Sequence, residues 1–193
     1  MNAATRTLKD YAPQIKAVVV TPSTHLGGLL RDLMQFTIGA PDVVHARSLK
    51  EALEILLERR CNLLLLDVSD AQKDALSLIR EIRKGHGKVP REVPIVAMMQ
   101  APTRALVEQL RDLGVNEILA IPVTAGHLTD RLKSVFEKPR DWVFTERYVG
   151  PDRRRKKNEF AGGERRGPKD DPTDDALTLT DTVDASAKPQ AES

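Results

Sequence analysis

Apolar and polar positions follow two alternating periods between Ile15 and Phe136. Short runs of consecutive apolar residues are typical of strands buried on both faces. Between these runs, apolar residues recur every three or four positions, which is the period of an amphipathic helix. The predicted strands are Ala17–Val20, Asp42–Ala46, Leu63–Leu66, Val93–Met99 and Glu117–Ile121. The helical pattern runs through Leu26–Met34, Ala52–Leu56, Leu76–Ile82, Thr103–Leu113 and Ala125–Phe136.

Local signals mark where several of these helices begin and end. Ser48 is followed three residues later by Glu51, the spacing of a capping box before the second helix. Gly114 comes directly after the fourth helical segment and predicts its end. Strands that alternate with helices over short loops favour a parallel sheet covered on both faces. The sequence therefore predicts a doubly wound α/β domain with a five-stranded parallel sheet.

Composition changes at both ends of this domain. We assign 1–13 to an N-terminal tail, 14–138 to the domain, 139–169 to an aromatic and basic extension, and 170–193 to a disordered acidic tail. The formal charge of +2 conceals an asymmetry, because 147–169 carries nine Lys or Arg against three acids, whereas 170–193 carries seven acids against one Lys. The acidic end has too little apolar surface to offset the entropy of ordering.

The compartment is suggested by features that the sequence lacks. Cys61 is the single cysteine, so no disulfide framework is expected and a cytoplasmic location is the simplest assignment. The first residues carry no apolar core of a signal peptide, and no run of apolar residues approaches the length of a membrane span. We therefore expect a cytoplasmic protein that makes no membrane contact.

One acid stands at an informative position. The predicted strand Leu63–Leu66 is followed at once by Asp67. Reacting groups in open α/β sheets lie at the carboxyl ends of the strands, so this acid is a candidate for chemistry. The four histidines are scattered without ligand spacing, and we expect neither a metal site nor a free-standing enzyme.

With these residues in view, the segment from Ile15 to about Phe136 resembles the receiver domain of bacterial two-component response regulators, the CheY-like fold. The residues that carry the resemblance are His45–Leu53, Val93–Val96 and Leu119–Pro122. The resemblance implies a flavodoxin-like strand order of 2-1-3-4-5. It also implies that a histidine kinase or phosphotransferase supplies a phosphoryl group, and it places Asp67 at the phosphoacceptor position.

The positions that should assist Asp67 depart from the family pattern. The family has two metal-binding acids after the first strand, where this chain has Thr21 and Pro22. A lysine and a hydroxyl residue are replaced by Ile121 and Met99. Mg²⁺ prefers several oxygen ligands, and phosphoryl transfer depends on neutralising charge. The resemblance therefore implies a degenerate receiver without a cofactor, in which Mg²⁺ would matter only if Asp67 is phosphorylated.

The extension offers a different kind of site. Two arginine clusters follow turns, and their members are Arg153, Arg154, Arg155, Arg165 and Arg166. Arginine forks bind phosphates and stack on bases, so these residues are candidates for binding an anion or a nucleotide. Some receiver-like proteins with such tails bind cyclic di-GMP, which makes that messenger a concrete alternative. A solvated charged tail is the simpler interpretation.

Three hypotheses remain open at this point. The first is a stand-alone receiver-like protein of a phosphorelay pathway that docks a signalling partner through Thr103–Phe136, beside Trp142, Phe144 and Tyr148. The second is a conventional phosphoacceptor that shuttles a phosphoryl group on Asp67. The third is a nucleotide effector that acts through the arginines. We expect no DNA-binding domain after residue 138, and we expect the aromatic residues to attach the extension to the last helix or strand.

Overall fold

The computed structural model describes residues 6–69, 72–85, 89–146 and 148–153. The helices are α1 (Leu8–Tyr11), α2 (Thr24–Asp32), α3 (Leu49–Glu58), α4 (Gln72–Lys84), α5 (Arg104–Asp112) and α6 (Ala125–Phe136). The strands are β1 (Lys16–Val20), β2 (Asp42–Ala46), β3 (Leu63–Asp67), β4 (Ile95–Met99), β5 (Glu117–Ala120), β6 (Trp142–Phe144) and β7 (Val149–Pro151). Short helical turns at Ala12–Gln14 and Leu33–Ile38 extend α1 and α2.

The five longer strands form one parallel sheet. Its order is β2-β1-β3-β4-β5, and every neighbouring pair is parallel. Strands β6 and β7 form a separate antiparallel hairpin. The prediction of a doubly wound sheet with this strand order is confirmed.

Alternate residues of each strand enter opposite cores. On one side Val18, Leu64 and Leu66 pack with residues of α3, α4 and α5. On the other side Val19 and Leu65 pack with residues of α1, α2 and α6. Because every second side chain points to the same face, this alternation explains why the strands read as continuous apolar runs.

The helix caps follow the sequence closely, with one difference. The Ser48 hydroxyl accepts a hydrogen bond from the backbone N–H of Glu51 at 3.1 Å, as a capping box requires. The Glu51 carboxylate, however, accepts from the N–H of Arg47 at 2.7 Å instead of from Ser48. The predicted stop at Gly114 is also present, and its φ of +81° is a conformation that favours glycine.

Strand β4 begins two residues later than the sequence pattern suggests. The N–H of Val93 donates to the Pro90 carbonyl at 2.9 Å, so Val93 belongs to a turn. Pro94 has no N–H to donate, although its carbonyl accepts from Leu64 at 2.9 Å. The apolar run therefore begins with Val93, the last residue of a turn, and Pro94, before the strand itself starts at Ile95.

The packed region is longer at its start than the sequence boundaries propose. Leu8, inside the segment assigned to an N-terminal tail, is buried, and its N–H donates to the Glu137 carboxylate at 2.7 Å. The ring of Tyr11 lies 5.8 Å from that of Phe136. A four-residue helix is too short for its apolar pattern to be recognised, so only these contacts across the fold reveal it.

Candidate functional site

Asp67 is the last residue of β3 and lies partly buried at the carboxyl edge of the sheet. The neighbouring strand β1 pairs with β3 so that Val20 faces Leu66. The next position on β1 is Thr21, and by the same register it stands beside Asp67. Parallel pairing thus brings together two side chains that lie 46 positions apart in the sequence.

The Asp67 carboxylate is held by protein donors on both oxygens. The hydroxyl of Thr21 donates to Oδ2 at 2.8 Å, and the backbone N–H of Ser69 donates to Oδ1 at 3.0 Å. Thr21 is completely buried. A hydroxyl that donates to a carboxylate cannot at the same time present its proton elsewhere, so Thr21 acts here as a partner of Asp67.

Thr21 is itself fixed from several directions. Its hydroxyl oxygen also accepts from the N–H of Ser23 at 3.3 Å, and its N–H donates to the Ala46 carbonyl at 3.1 Å. Its carbonyl lies 2.9 Å from Nε2 of His45. These contacts hold the first turn after β1 against the end of β2, so the hydroxyl is pre-positioned for Asp67.

The sequence did not reveal His45 or Gly27 as parts of this edge. A Cβ placed on Gly27 would lie 2.2 Å from the His45 ring, so the imidazole packs directly on the helix backbone. No larger residue fits at position 27 without moving that ring. The spacing of the two residues carries no recognisable signal, because the contact depends on how α2 crosses β2.

The other positions taken from the resemblance bring no polar side chain to this edge. Pro22 is exposed, Met99 is buried in the core that α3, α4 and α5 share, and Ile121 packs against the opposite core. The peptide between Ile121 and Pro122 is cis. These three positions therefore add no charge and no hydrogen-bonding side chain to the site of Asp67.

This donor set does not fit a magnesium ion. Mg²⁺ requires near-octahedral oxygen coordination, usually from one or two carboxylates together with waters and substrate phosphate oxygens. Among the residues that the structure describes, this edge offers the carboxylate of Asp67, and protein donors already occupy both of its oxygens. Within the described ranges, no group of three or more His, Cys, Asp and Glu side chains is arranged to hold a metal ion.

A second cluster of polar groups lies at the opposite edge of the sheet, around Arg83 near the end of α4. The guanidinium donates to the carbonyls of Gly114, Arg91 and Val93 at 3.0, 2.6 and 2.8 Å, and to the side-chain oxygen of Asn116 at 3.1 Å. The side chain is buried, and burial lowers the pKa of Arg83 to about 10. All four of these acceptors are neutral.

The hairpin of β6 and β7 covers this guanidinium. Trp142 lies with its ring centre 5.0 Å from the Arg83 guanidinium carbon, an arrangement that favours a cation–π contact. The backbone of Val149 and Gly150 approaches Gly114 so closely that a Cβ there would lie 2.4 Å from the Val149 carbonyl oxygen. Arg140 adds an ion pair of 2.9 Å to Glu117 of β5. The extension thus docks mainly on α4 and the Gly114 turn, and only in part on the last strand.

Only one of the five candidate arginines is described. Arg153 pairs with Asp112, and its guanidinium carbon lies 4.2 Å from the centre of the Tyr148 ring. Both interactions use the charge of Arg153 within the domain. Arg154, Arg155, Arg165 and Arg166 lie outside the described residues, as does the acidic segment 170–193.

The sheet order, the two helical layers and the position of Asp67 define the receiver fold, and solved structures share it. A response regulator from Thermotoga maritima is 20% identical, with a TM-score of 0.54 over 63% of this chain and 97% of its own. A signal receiver domain of a DNA-binding response regulator from Colwellia psychrerythraea is 16% identical, with a TM-score of 0.57 over 64% and 99%.

A third similar structure is a response regulator from Burkholderia pseudomallei that contains a phosphorylated aspartic acid and a calcium ion. It is 17% identical, with a TM-score of 0.52 over 63% of this chain and 68% of its own. No family model matches the sequence, and no curated protein matches it. At these identities the likeness establishes the receiver fold. None of the described helices is long and apolar enough to cross a membrane.

Proposed function

We propose that this chain is a receiver-like signalling protein of a phosphorelay pathway that works by docking to a protein partner, without phosphoryl transfer to Asp67. The partner classes that suit this role are a histidine kinase, a phosphotransferase or a target protein of such a pathway. The fold supports the signalling role, and the hydrogen bond from Thr21 to Asp67 is the observation that carries the proposal.

The proposal rests on what phosphoryl transfer requires. The transition state is stabilised almost entirely by positioned cations and hydrogen-bond donors. At this edge, Ile121 and Met99 offer neither, and the Thr21 hydroxyl already donates to the carboxylate that would have to attack. A carboxylate engaged by donors on both oxygens is a stable structural partner and a poorer nucleophile.

The docking face is the surface built by α5, β5 and α6. Leu110 is the fully buried residue of α5, whereas Arg104, Glu108 and Arg111 are exposed. Glu117 of β5 is a fixed centre on this face, since it accepts from Ser134 at 2.7 Å and pairs with Arg131 at 3.4 Å. A charged helix on a rigid support is suited to recognition by a partner with complementary charges.

The first experiment asks whether Asp67 takes a phosphoryl group at all. The full chain is incubated with Mg²⁺ and acetyl phosphate, and its intact mass is measured under mild conditions beside a competent receiver. We expect no phosphoryl adduct on the native chain. An adduct that disappears in Asp67→Asn would overturn the proposal and support the conventional phosphoacceptor.

A gain-of-function variant sharpens this test. A triple variant restores the residue types that the receiver resemblance implies. It combines Thr21→Asp, Pro22→Asp and Ile121→Lys. If the missing groups are the cause, this triple variant gains a Mg²⁺-dependent adduct on Asp67. A folded triple variant that stays unmodified would show that more than these side chains separates the site from an active one.

Docking has its own test. The chain is immobilised and used to capture purified histidine kinase, phosphotransferase or target proteins from the same cell, and binding is measured for native and variant forms. We expect capture to survive Asp67→Ala and to be lost in Arg104→Glu with Arg111→Glu. Lys50→Glu on α3, an exposed charge on a different helix, serves as the control. Loss of binding in Asp67→Ala alone would contradict the proposal.

A nucleotide effector is the remaining alternative. Four of its five candidate arginines lie outside the described residues, so the structure does not bear on them. It predicts that cyclic di-GMP binds with an affinity that falls steeply with salt and is lost when the chain is cut after Arg153. Cutting there keeps the β6–β7 hairpin, so loss of binding would not be confused with loss of folding. Retained binding in the shortened chain would exclude the arginines beyond Arg153 as the site.

A further inference from the structure

The amino ends of β1 and β3 border a cavity of about 750 Å³ that the proposed signalling role does not use. It lies between the end of α3 and the turn before β4, at the edge of the sheet opposite Asp67. Small-molecule sites typically enclose about 300–1,000 Å³, so the volume suits a small ligand.

The rim of this cavity is cationic. Lys16, Arg59 and Arg60 line it, and Glu58 is the acid among the lining residues. Arg59 pairs with Asp42. In the part of the chain that the structure describes, neither Lys16 nor Arg60 has a carboxylate at ion-pair distance. Two free cations beside a concave wall attract an anion with more than one charge.

Half of the residues that line the cavity have apolar or weakly polar side chains. Leu56, Leu57, Val89 and Pro90 contribute to the lining, and Leu57 remains 51% exposed. Cys61 also lines it, and burial keeps the thiol protonated by raising its pKa to about 11. A neutral thiol does not repel an anion. The surface thus offers an apolar wall beside a charged rim.

The wall is rigid before any ligand arrives. The side chain of Asn62 accepts from the N–H of Lys16 at 2.6 Å and donates to the Gln14 carbonyl at 2.8 Å. The backbone N–H of Asn62 donates in turn to the Lys16 carbonyl at 3.1 Å. This bracket fixes the start of β1 against the start of β3, and a preformed site loses little entropy when it binds.

We propose that this cavity binds a small phosphate-bearing molecule with an apolar body. The phosphate would lie at Lys16 and Arg60, because a phosphate monoester carries close to two negative charges at neutral pH and accepts hydrogen bonds from both kinds of cation. The apolar part would lie on Leu57 and its neighbours. The site stands at the opposite end of β3 from Asp67, and Asp67 is not among its lining residues.

The test uses the full chain and n-octyl phosphate below its micelle concentration, with binding measured by isothermal titration calorimetry. We expect saturable binding with one molecule per chain. Octyl glucoside has the apolar chain without a phosphate, and inorganic phosphate has no apolar chain. Each should bind at least about tenfold more weakly than octyl phosphate. Equal binding of either compound would overturn the assignment, as would the absence of saturable binding.

Matched variants locate the site. Lys16→Gln with Arg60→Gln should weaken octyl phosphate binding about tenfold or more, and Leu57→Ser should weaken it as well. Arg31→Gln removes an exposed arginine from α2, outside both the cavity and the docking face, and should leave binding unchanged. All these side chains are exposed, and a thermal melt confirms that each variant folds. An equal loss in Arg31→Gln, or no loss in the double variant, would contradict the proposal.

Discussion

The two edges of the central sheet differ in how they use polar groups. At the carboxyl edge, Asp67 is held by one buried hydroxyl and one backbone N–H, and the side chains of Met99 and Ile121 pack into the cores. At the amino edge, Arg83 alone makes four hydrogen bonds under an added hairpin. Reacting groups of open α/β sheets lie at the first edge, yet at the second edge a single buried cation makes four hydrogen bonds.

This difference indicates which edge the stability of the chain depends on. Removing a buried guanidinium leaves its hydrogen-bond acceptors without a donor. Because water cannot reach these buried acceptors, the lost hydrogen bonds reduce the stability of the fold. A partly buried carboxylate at the end of a strand can exchange its partners for water. We therefore expect substitutions at the amino edge to reduce stability more than substitutions at Asp67.

The largest expected effect is at Arg83. Replacing it by methionine keeps much of the volume but removes the donor from several buried carbonyls, so the free energy of unfolding should fall by about 3–5 kcal/mol. Urea denaturation of the native and variant chains measures the difference. Arg80→Met, an exposed arginine on the same helix, is the control and should change stability by less than about 0.5 kcal/mol. If the two substitutions lowered the free energy of unfolding equally, the special contribution of the buried Arg83 to stability would be contradicted.

The next effect concerns the approach of the hairpin to Gly114. Alanine there must adopt a φ of +81° and place its Cβ 2.4 Å from the Val149 carbonyl oxygen. We expect a loss of at least about 2 kcal/mol, together with increased exposure of Trp142 seen by fluorescence. Gly28→Ala is the matched control. Nothing lies within 4 Å of its new methyl group, so alanine should stabilise α2 by about 0.5–1 kcal/mol.

A smaller effect depends on pH and involves Cys61. Burial raises the pKa of this thiol from 9.0 to about 11. Between these values the unfolded chain releases the thiol proton and the folded chain keeps it, so stability falls as the pH rises. The loss should be on the order of 2 kcal/mol between pH 9 and pH 11. Cys61→Ala should lose correspondingly less over the same interval when unfolding is followed in urea, and equal slopes would argue against the shift.

The smallest effect is expected at Asp67 itself. Asparagine retains a side-chain oxygen that can accept from Thr21 or from the Ser69 N–H, so the free energy of unfolding should change by less than about 1 kcal/mol. The same urea measurement used for Arg83 checks this value. A loss greater than that of Gly114→Ala would show that the carboxyl edge, and not the amino edge, is the main polar support of the fold.

Much of the fold was predictable because it depends on local pattern. Strands buried on both faces and helices with one apolar face have different periods, and the chain keeps them distinct from β1 to α6. Asp42–Ala46 and Ala125–Phe136 have the predicted bounds. The start of β4 moved because Val93 and Pro94 are apolar like the strand that follows them, although they do not belong to it. The position of Asp67 at the end of its strand was also readable, because it follows an apolar run directly.

The sequence by itself determined the order of strands and helices, the polarity of each face and the absence of acids after β1. Only the tertiary structure decided what those residues do. Thr21 became the donor to Asp67 because β1 and β3 pair in one register, and Arg83 became a buried anchor because a hairpin 59 positions later folds over it. Period and composition are local properties of a chain. Contacts between distant side chains depend on register and helix crossing, which emerge only when the whole core packs.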